Sequence, residues 1–192
     1  MPVAGLSPLD VSLAAAAGVA IAAACGLRAF LPLLALALGV HFELIQVHPG
    51  AAWIGSMPAI LTLVWATVLE LAADKVPALD HALDVVALGL RPAAAALAAW
   101  ATFAGAHPAL AVAAAVVLGA GAMGVQVAKA KVRLGSSMLT LGTANPMLSF
   151  AEDGITIVIS TLAILAPIAA LASVVFAVWL VRRTFRRRPV AP

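Results

Sequence analysis

The feature that most restricts what this chain can fold into is the length of its apolar runs. Stretches of roughly 16 to 30 residues, rich in Ala, Leu and Val, are separated by short breaks carrying Pro, Gly and charge. At about 1.5 Å per residue, a helix of that length crosses a hydrocarbon core about 30 Å thick. A transmembrane barrel would instead show short alternating segments, and the sequence has none. Composition closes off the soluble alternative. The chain is 65% hydrophobic and 10% charged, where a soluble domain carries roughly a quarter charged residues. The apolar surplus over what one core can bury has to face lipid.

The single cysteine, Cys25, lies inside an apolar run and is read as packing, since neither an intrachain disulfide nor a cysteine metal site can be built from it. Met1 to Val11 contains Asp10 and no Lys or Arg, so the first run is read as retained and not as a cleaved signal. Five of the eleven Lys and Arg residues gather at the other end, as Arg182, Arg183, Arg186, Arg187 and Arg188. We read residues 1–181 as one membrane domain and 182–192 as a basic cytoplasmic tail, held by anionic headgroups and the positive-inside rule. A nucleic-acid surface would need interleaved aromatics, and the tail offers only Phe185.

The spans are read in order. Val11 to Val40 is interrupted at Gly26-Leu27-Arg28-Ala29-Phe30-Leu31-Pro32, which predicts one tilted span or a tight hairpin. Pro58 to Ala73 is the next span, closed by Glu70 and Asp74. Asp74 to Asp84 is the most polar stretch, expected as a loop or inside a protein-lined cavity. Val85 to Ala104, with Arg91-Pro92 inside it, and Ala106 to Val127 follow, the latter ended by Lys129, Lys131 and Arg133. Leu134 to Phe150 is half polar, and Ile155 to Val181 is a last helix with Pro167 near its middle. If the half-polar run crosses, Lys75, Lys129, Lys131, Arg133 and the arginine tail all fall on the cytoplasmic side. The charge bias therefore favours an all-α bundle of about six membrane-embedded segments with proline-broken helices. Six segments divide into a 3+3 inverted repeat. Met57-Pro58 against Asn145-Pro146, and the Ala-rich stretches after Pro92 and Pro167, support that division weakly.

Ionisable residues within such spans carry the functional argument, because their burial costs several kcal/mol unless they are paired or wetted. Six acids, Glu70, Asp74, Asp80, Asp84, Glu152 and Asp153, face six bases, Arg28, Lys75, Arg91, Lys129, Lys131 and Arg133. Glu70 and Asp74 share a helix face at i, i+4, and Asp80 and Asp84 repeat the spacing. Such pairs can hold a cation, share a proton, or grip arginines of neighbouring helices. Arg28 and Arg91, each beside a proline, are candidates for an anionic substrate group. Asn145-Pro146 with Ser149 reads as a helix start, with Asn145 and Ser149 also available to substrate. The histidines show no metal-site spacing, and no cofactor is expected. Asp80 and Asp84 have the Asp-x-x-x-Asp spacing of metal-dependent lipid-phosphate enzymes, without a second such motif.

The same islands carry a family resemblance: the run from Gly26 to Pro32, Glu70 with Asp74-Lys75-Val76-Pro77 and Asp80, Arg91-Pro92, Lys129-Ala130-Lys131 with Arg133, and Asn145-Pro146 with Ser149, Glu152 and Asp153. From about Ala15 to Ala172 the chain resembles the bacterial membrane proteins grouped as domain-of-unknown-function family 4126. The resemblance implies an integral membrane protein and donates no catalytic residues. Three readings stand: a transporter or permease of a small solute, with Arg28 and Arg91 on substrate or gating its path and Glu70, Asp74, Glu152 and Asp153 handling a proton or cation; a structural or assembly protein whose charges lock helices together; and a lipid-phosphate enzyme. The expected partners are membrane lipids and a small solute, and a homo-oligomer is compatible with the sequence. The expected place is the cell (inner) membrane.

Overall fold

A computed structural model describes residues 7–74, 77–103, 108–140 and 145–186, with no description of the side chains of 77–85, 137, 139–140, 145–146, 181 and 184–186. Among these residues the regular secondary structure is all helical. It comprises α1 (Pro8–Cys25), α2 (Phe30–His41), a short 3-10 helix (Pro49–Gly55), α3 (Met57–Ala73), α4 (Pro77–Phe103), α5 (Pro108–Thr140), α6 (Asn145–Leu165) and α7 (Pro167–Arg186). Four of these hold stretches long and apolar enough to cross a membrane: Pro8–Cys25, Val86–Phe103, Pro108–Ser136 and Met147–Leu165. The 3-10 helix and α3, bent by 59°, together make a fifth candidate. The protein is thus a multi-pass helical bundle.

Helix α1 begins on a reciprocal cap in which Ser7 Oγ accepts from Asp10 N–H at 3.2 Å and the Asp10 carboxylate accepts from Ser7 N–H at 3.0 Å. Pro8 in the first turn lacks only an N–H that had no partner there. Beyond the cap the helix is apolar all round, and a helix without a polar face belongs in the middle of a bundle. It packs against α4, α7, α6, α5 and α2. Small residues allow this crowding. A Cβ on Gly18 would meet Thr102 Oγ1 of α4 at 1.9 Å, and one on Gly26 would meet Val125 Cβ of α5 at 2.7 Å. Thr102 Oγ1 itself donates to Ala98 O at 2.9 Å, so the notch receives a satisfied hydroxyl.

The run from Val11 to Val40 is two helices, and the chain turns back between them. Asp10, Leu13, Ala14 and Ala17 of α1 line one cleft with Glu43, Leu44, Ile45 and Gln46, which follow α2. The end of α2 therefore lies where α1 began, and Arg28 sits at the tip of the hairpin. Pro32 opens α2 instead of kinking a single helix. The helix closes with Glu43 in the left-handed region at φ 58°, while Leu44 N–H donates to Gly39 O at 2.8 Å and Glu43 N–H to Val40 O at 3.1 Å.

Several expected boundaries move. Residues 77–84 are helical and form the first turns of α4, not a loop. The span expected from Val85 to Ala104 keeps Pro92 inside it as a continuous part of α4. Lys129, Lys131 and Arg133 do not end a span, because α5 continues to Thr140. The half-polar run is not a separate crossing: its first residues lengthen α5 and its last residues begin α6, and Lys129 meets Glu152 across the junction at 2.8 Å. The expected last helix is two, α6 and α7, divided at Ala166. Met57-Pro58 and Asn145-Pro146 both open helices, but Pro92 lies inside α4 whereas Pro167 opens α7, so the second pair of matched segments does not hold equivalent places.

The outer surface is apolar. Leu61, Trp65, Val68 and Leu69 of α3, Val112, Val116 and Val117 of α5, and Ile157 and Val158 of α6 are all exposed. A belt of this extent on several helices is a lipid-facing surface.

Candidate functional site

The hairpin tip places Arg28 at the centre of a buried ion-pair cluster. Its side chain is wholly buried. Nη1 pairs with Asp74 at the end of α3. Nη2 donates to Ser149 Oγ at 2.8 Å and stands 2.5 Å from Asp153 Oδ1, both on α6. The Asp74 carboxylate is shared, since Oδ2 also accepts from Arg133 Nη2 of α5 at 3.1 Å, with Lys129 Nζ at 4.0 Å. Glu152 Oε2 receives Lys129 at 2.8 Å and Arg133 at 3.3 Å. Lys129 also reaches Leu27 O at 3.4 Å, a carbonyl freed where α1 has ended.

Glu70 has a different task. Helix α2 starts without a side-chain cap of its own. Both Glu70 oxygens fill that role from α3, Oε1 accepting from Ala29 N–H at 2.8 Å and Oε2 from Phe30 N–H at 3.0 Å. A carboxylate on two unsatisfied amides at a helix N-terminus gains charge-assisted hydrogen bonds and the favourable end of the helix dipole. Glu70 and Asp74 do share a face of α3, as their spacing predicts, and Asp74 N–H donates back to Glu70 O at 3.3 Å.

Arg91 differs from its neighbours. It is 2% exposed, and neither Nε nor Nη1 has a hydrogen-bond partner. It lies within electrostatic reach of Glu70, Asp74 and Glu152, and of Arg28, without closing an ion pair on any of them. Among the described residues the cluster thus assembles four carboxylates, Glu70, Asp74, Glu152 and Asp153, with four cations, Arg28, Arg91, Lys129 and Arg133. It is drawn from the hairpin tip and from α3, α4, α5 and α6, and it is charge-balanced.

Of the residues singled out from the sequence, Arg28, Arg91, Glu70, Asp74, Ser149, Glu152 and Asp153 come together here. The side chains of Lys75, Asp80, Asp84 and Asn145 lie outside the described residues. Nη1 and Nη2 of Arg28 are engaged by Asp74, Asp153 and Ser149, while its buried Nε has no hydrogen-bond partner. Among the described residues no group of three or more His, Cys, Asp or Glu is arranged to hold a metal ion.

Other buried polar groups escaped sequence reasoning: Thr67 on α3, Gln126 on α5, and Thr156 and Ser160 on α6. Their signal is spacing. Gly119, Ala122, Gln126, Lys129 and Arg133 recur at alternating steps of three and four and are all buried, which makes one inward face of α5. Lys129 and Arg133 belong to that face and not to a helix end in water.

A multi-pass helical membrane protein organised around a buried, charge-balanced cluster is the class that this fold and site define. Within it, the family model described as Domain of unknown function (DUF4126) matches residues 15–187, and the chain belongs to that family. No curated protein and no solved structure matches the chain.

Proposed function

We propose that the protein is a small transporter or permease of an anionic solute, working with a proton or cation, in the cell (inner) membrane with its arginine-rich C-terminus on the cytoplasmic side. The observation that carries the reading is Arg91. The neighbouring cations Arg28, Lys129 and Arg133 each close on a carboxylate, while Arg91 is buried, closes no ion pair with a carboxylate among the described residues, and has Nε and Nη1 without hydrogen-bond partners. A buried guanidinium without an ion pair among the described residues is costly. A planar donor fork suits a carboxylate or phosphate, which it binds with two parallel hydrogen bonds. The orientation follows from the positive-inside rule applied to Arg182 and Arg183.

The paired part of the cluster supports a second reading, a structural or assembly protein held by ion pairs. Arg28 and Asp74 join the hairpin to α3, and Asp153 adds α6. The lipid-phosphate enzyme reading rests on Asp80 and Asp84 and gains nothing from the described residues.

The test is uptake of radiolabelled lactate and of inorganic phosphate by proteoliposomes bearing wild type, Arg91→Gln or Asp153→Asn. Transport predicts flux above empty liposomes for one of the two anions and at least a tenfold loss in Arg91→Gln. Wild-type flux unchanged by Arg91→Gln removes Arg91 from the reading. No flux of either anion in a folded protein favours the structural alternative.

A further inference from the structure

Helix α6 carries more polarity inward than a packing role needs. Ser149, Asp153, Thr156 and Ser160 follow one another at steps of four, three and four, and Ala163 continues the line. All five are buried, Thr156 completely and Ser160 to 1% exposure. Those steps keep them on one face of a helix turning every 3.6 residues. Thr156 Oγ1 donates to Glu152 O at 2.7 Å, the usual way for a hydroxyl inside an apolar bundle to satisfy itself. Ser160 does not: its Oγ is buried with no hydrogen-bond partner. An unsatisfied buried hydroxyl calls for a partner, and water is the commonest.

The two ends of this line lead somewhere. The lower end is the ion-pair cluster, through Asp153 and Ser149. The upper end, at Ile164, Leu165 and Pro167, borders the cleft of about 340 Å³ lined also by Asp10, Glu43 and Gln46. Along the helix axis, Asp153 to Ile164 is a rise of roughly 16 Å at about 1.5 Å per residue. Two hydroxyls divide that distance into gaps of roughly 5 Å, each within reach of a single bridging water.

We propose that this face of α6 is a proton route from the cleft of Asp10 and Glu43 to Asp153, and that it supplies the proton entering with the anion. This deepens the transport reading and rests on it. Charge accounting supplies the reason. Among the described residues four carboxylates balance four cations, so an anion arriving at Arg91 alone adds one negative charge to that balanced set in an apolar bundle. A proton taken from water in the cleft restores neutrality. Ser160 and Thr156 each accept one proton and release one, ending unchanged. The proton finishes on the Asp153 carboxylate, while Arg28 keeps Asp74 and Ser149.

Among the described residues, Asp153 meets Arg28 at the hairpin tip, and next to it in the cluster are Glu152 on its own helix and Lys129 and Arg133 from α5, which pair with Glu152. Glu70 and Asp74 come from α3, and Arg91 from α4. Helix α1 adds the buried Cys25. The one titratable residue of α2 is His41 at its exposed far end, and α7 has none from Pro167 to Val181.

The single cysteine makes the test direct. In a Cys25→Ala background, Thr156, Ser160 and the lipid-facing Val158 are replaced in turn by Cys. Each variant is reconstituted in liposomes and treated with the small water-soluble reagent methanethiosulfonate ethylammonium. A thiol reacts as its thiolate, which requires water. The route predicts that S160C and T156C react at least tenfold faster than V158C. Equal inertness of all three overturns it. In a second arm, pyranine-loaded liposomes report proton uptake during lactate or phosphate entry. Ser160→Ala and Thr156→Val are expected to slow it at least fivefold, and unchanged uptake in reactive liposomes also overturns the route. The labelling arm needs no solute, so a dry face and an absent transport activity give different results.

Discussion

Nη2 of Arg28 stands 2.5 Å from Oδ1 of Asp153, joining the tip of the first hairpin to the start of α6. With Asp74 on its other nitrogen, Arg28 closes contacts between three helical elements that share no local sequence. Removing one partner of a buried pair leaves the others charged and unpaired, which costs about 3–5 kcal/mol. Arg28→Met is therefore expected to destabilise by about that much. Arg28→Lys, with one compact charge in place of a fork, is expected to fall between. Thermal unfolding in detergent, followed by a thiol-reactive dye on the buried Cys25, measures both. A loss below about 1 kcal/mol in Arg28→Met contradicts the central place given to this residue.

Arg91→Met makes the contrasting case. Arg91 is nearly as deeply buried but among the described residues gives up no ion pair and no hydrogen bond at Nε or Nη1. Its replacement by an apolar side chain of similar length is expected to cost at least about 2 kcal/mol less than Arg28→Met. The same dye assay decides it. Equal losses in the two variants argue that Arg91 holds the bundle together instead of waiting for a ligand.

Glu70→Gln tests the cap on α2. An amide keeps one oxygen for Ala29 or Phe30 N–H but turns its own N–H toward the other, and the charge is gone. The expected loss is about 1–3 kcal/mol. Hydrogen exchange at the Ala29 and Phe30 amides is expected to accelerate tenfold or more, while exchange in the middle of α1 stays unchanged. Protection of both amides at the wild-type level counts against the cap.

Gly18→Ala tests the packing of the central helix. The added Cβ meets Thr102 Oγ1 at 1.9 Å, so one element has to shift, at about 1–3 kcal/mol. Adding Thr102→Ala removes that oxygen and is expected to recover at least half of the loss. Additive losses in the double variant would place the strain elsewhere.

The spans were legible where the pattern was long and apolar. Pro58 to Ala73 corresponds to α3 within a residue, because Ser56 and Pro58 form a helix start and Asp74 stands just past its end. The polar islands were legible too, as exceptions in an apolar sequence. Boundaries failed where charge was taken as a sign of water. Lys129 and Arg133 looked like the end of a helix, yet α5 runs on past them because their charges are met by Asp74 and Glu152. Pro92 reads as a weakened turn inside one span, and α4 continues through it. Gln126 and Ser160 passed unnoticed, since a single polar residue in an Ala-rich run carries meaning only once its neighbours on the same face are known.

What the sequence determined by itself is the solvent. Its apolar runs exceed what any core of this size could hide, so the chain had to be helical and had to lie in lipid. What only the tertiary structure decided is how the charges are shared. Spacing along one helix says which residues face the same way, but not which helix lies opposite. The division into a paired Arg28, a capping Glu70 and an unengaged Arg91 depends on distances between segments far apart in the chain. Coulombic and hydrogen-bond energies in a low-dielectric interior turn on those distances.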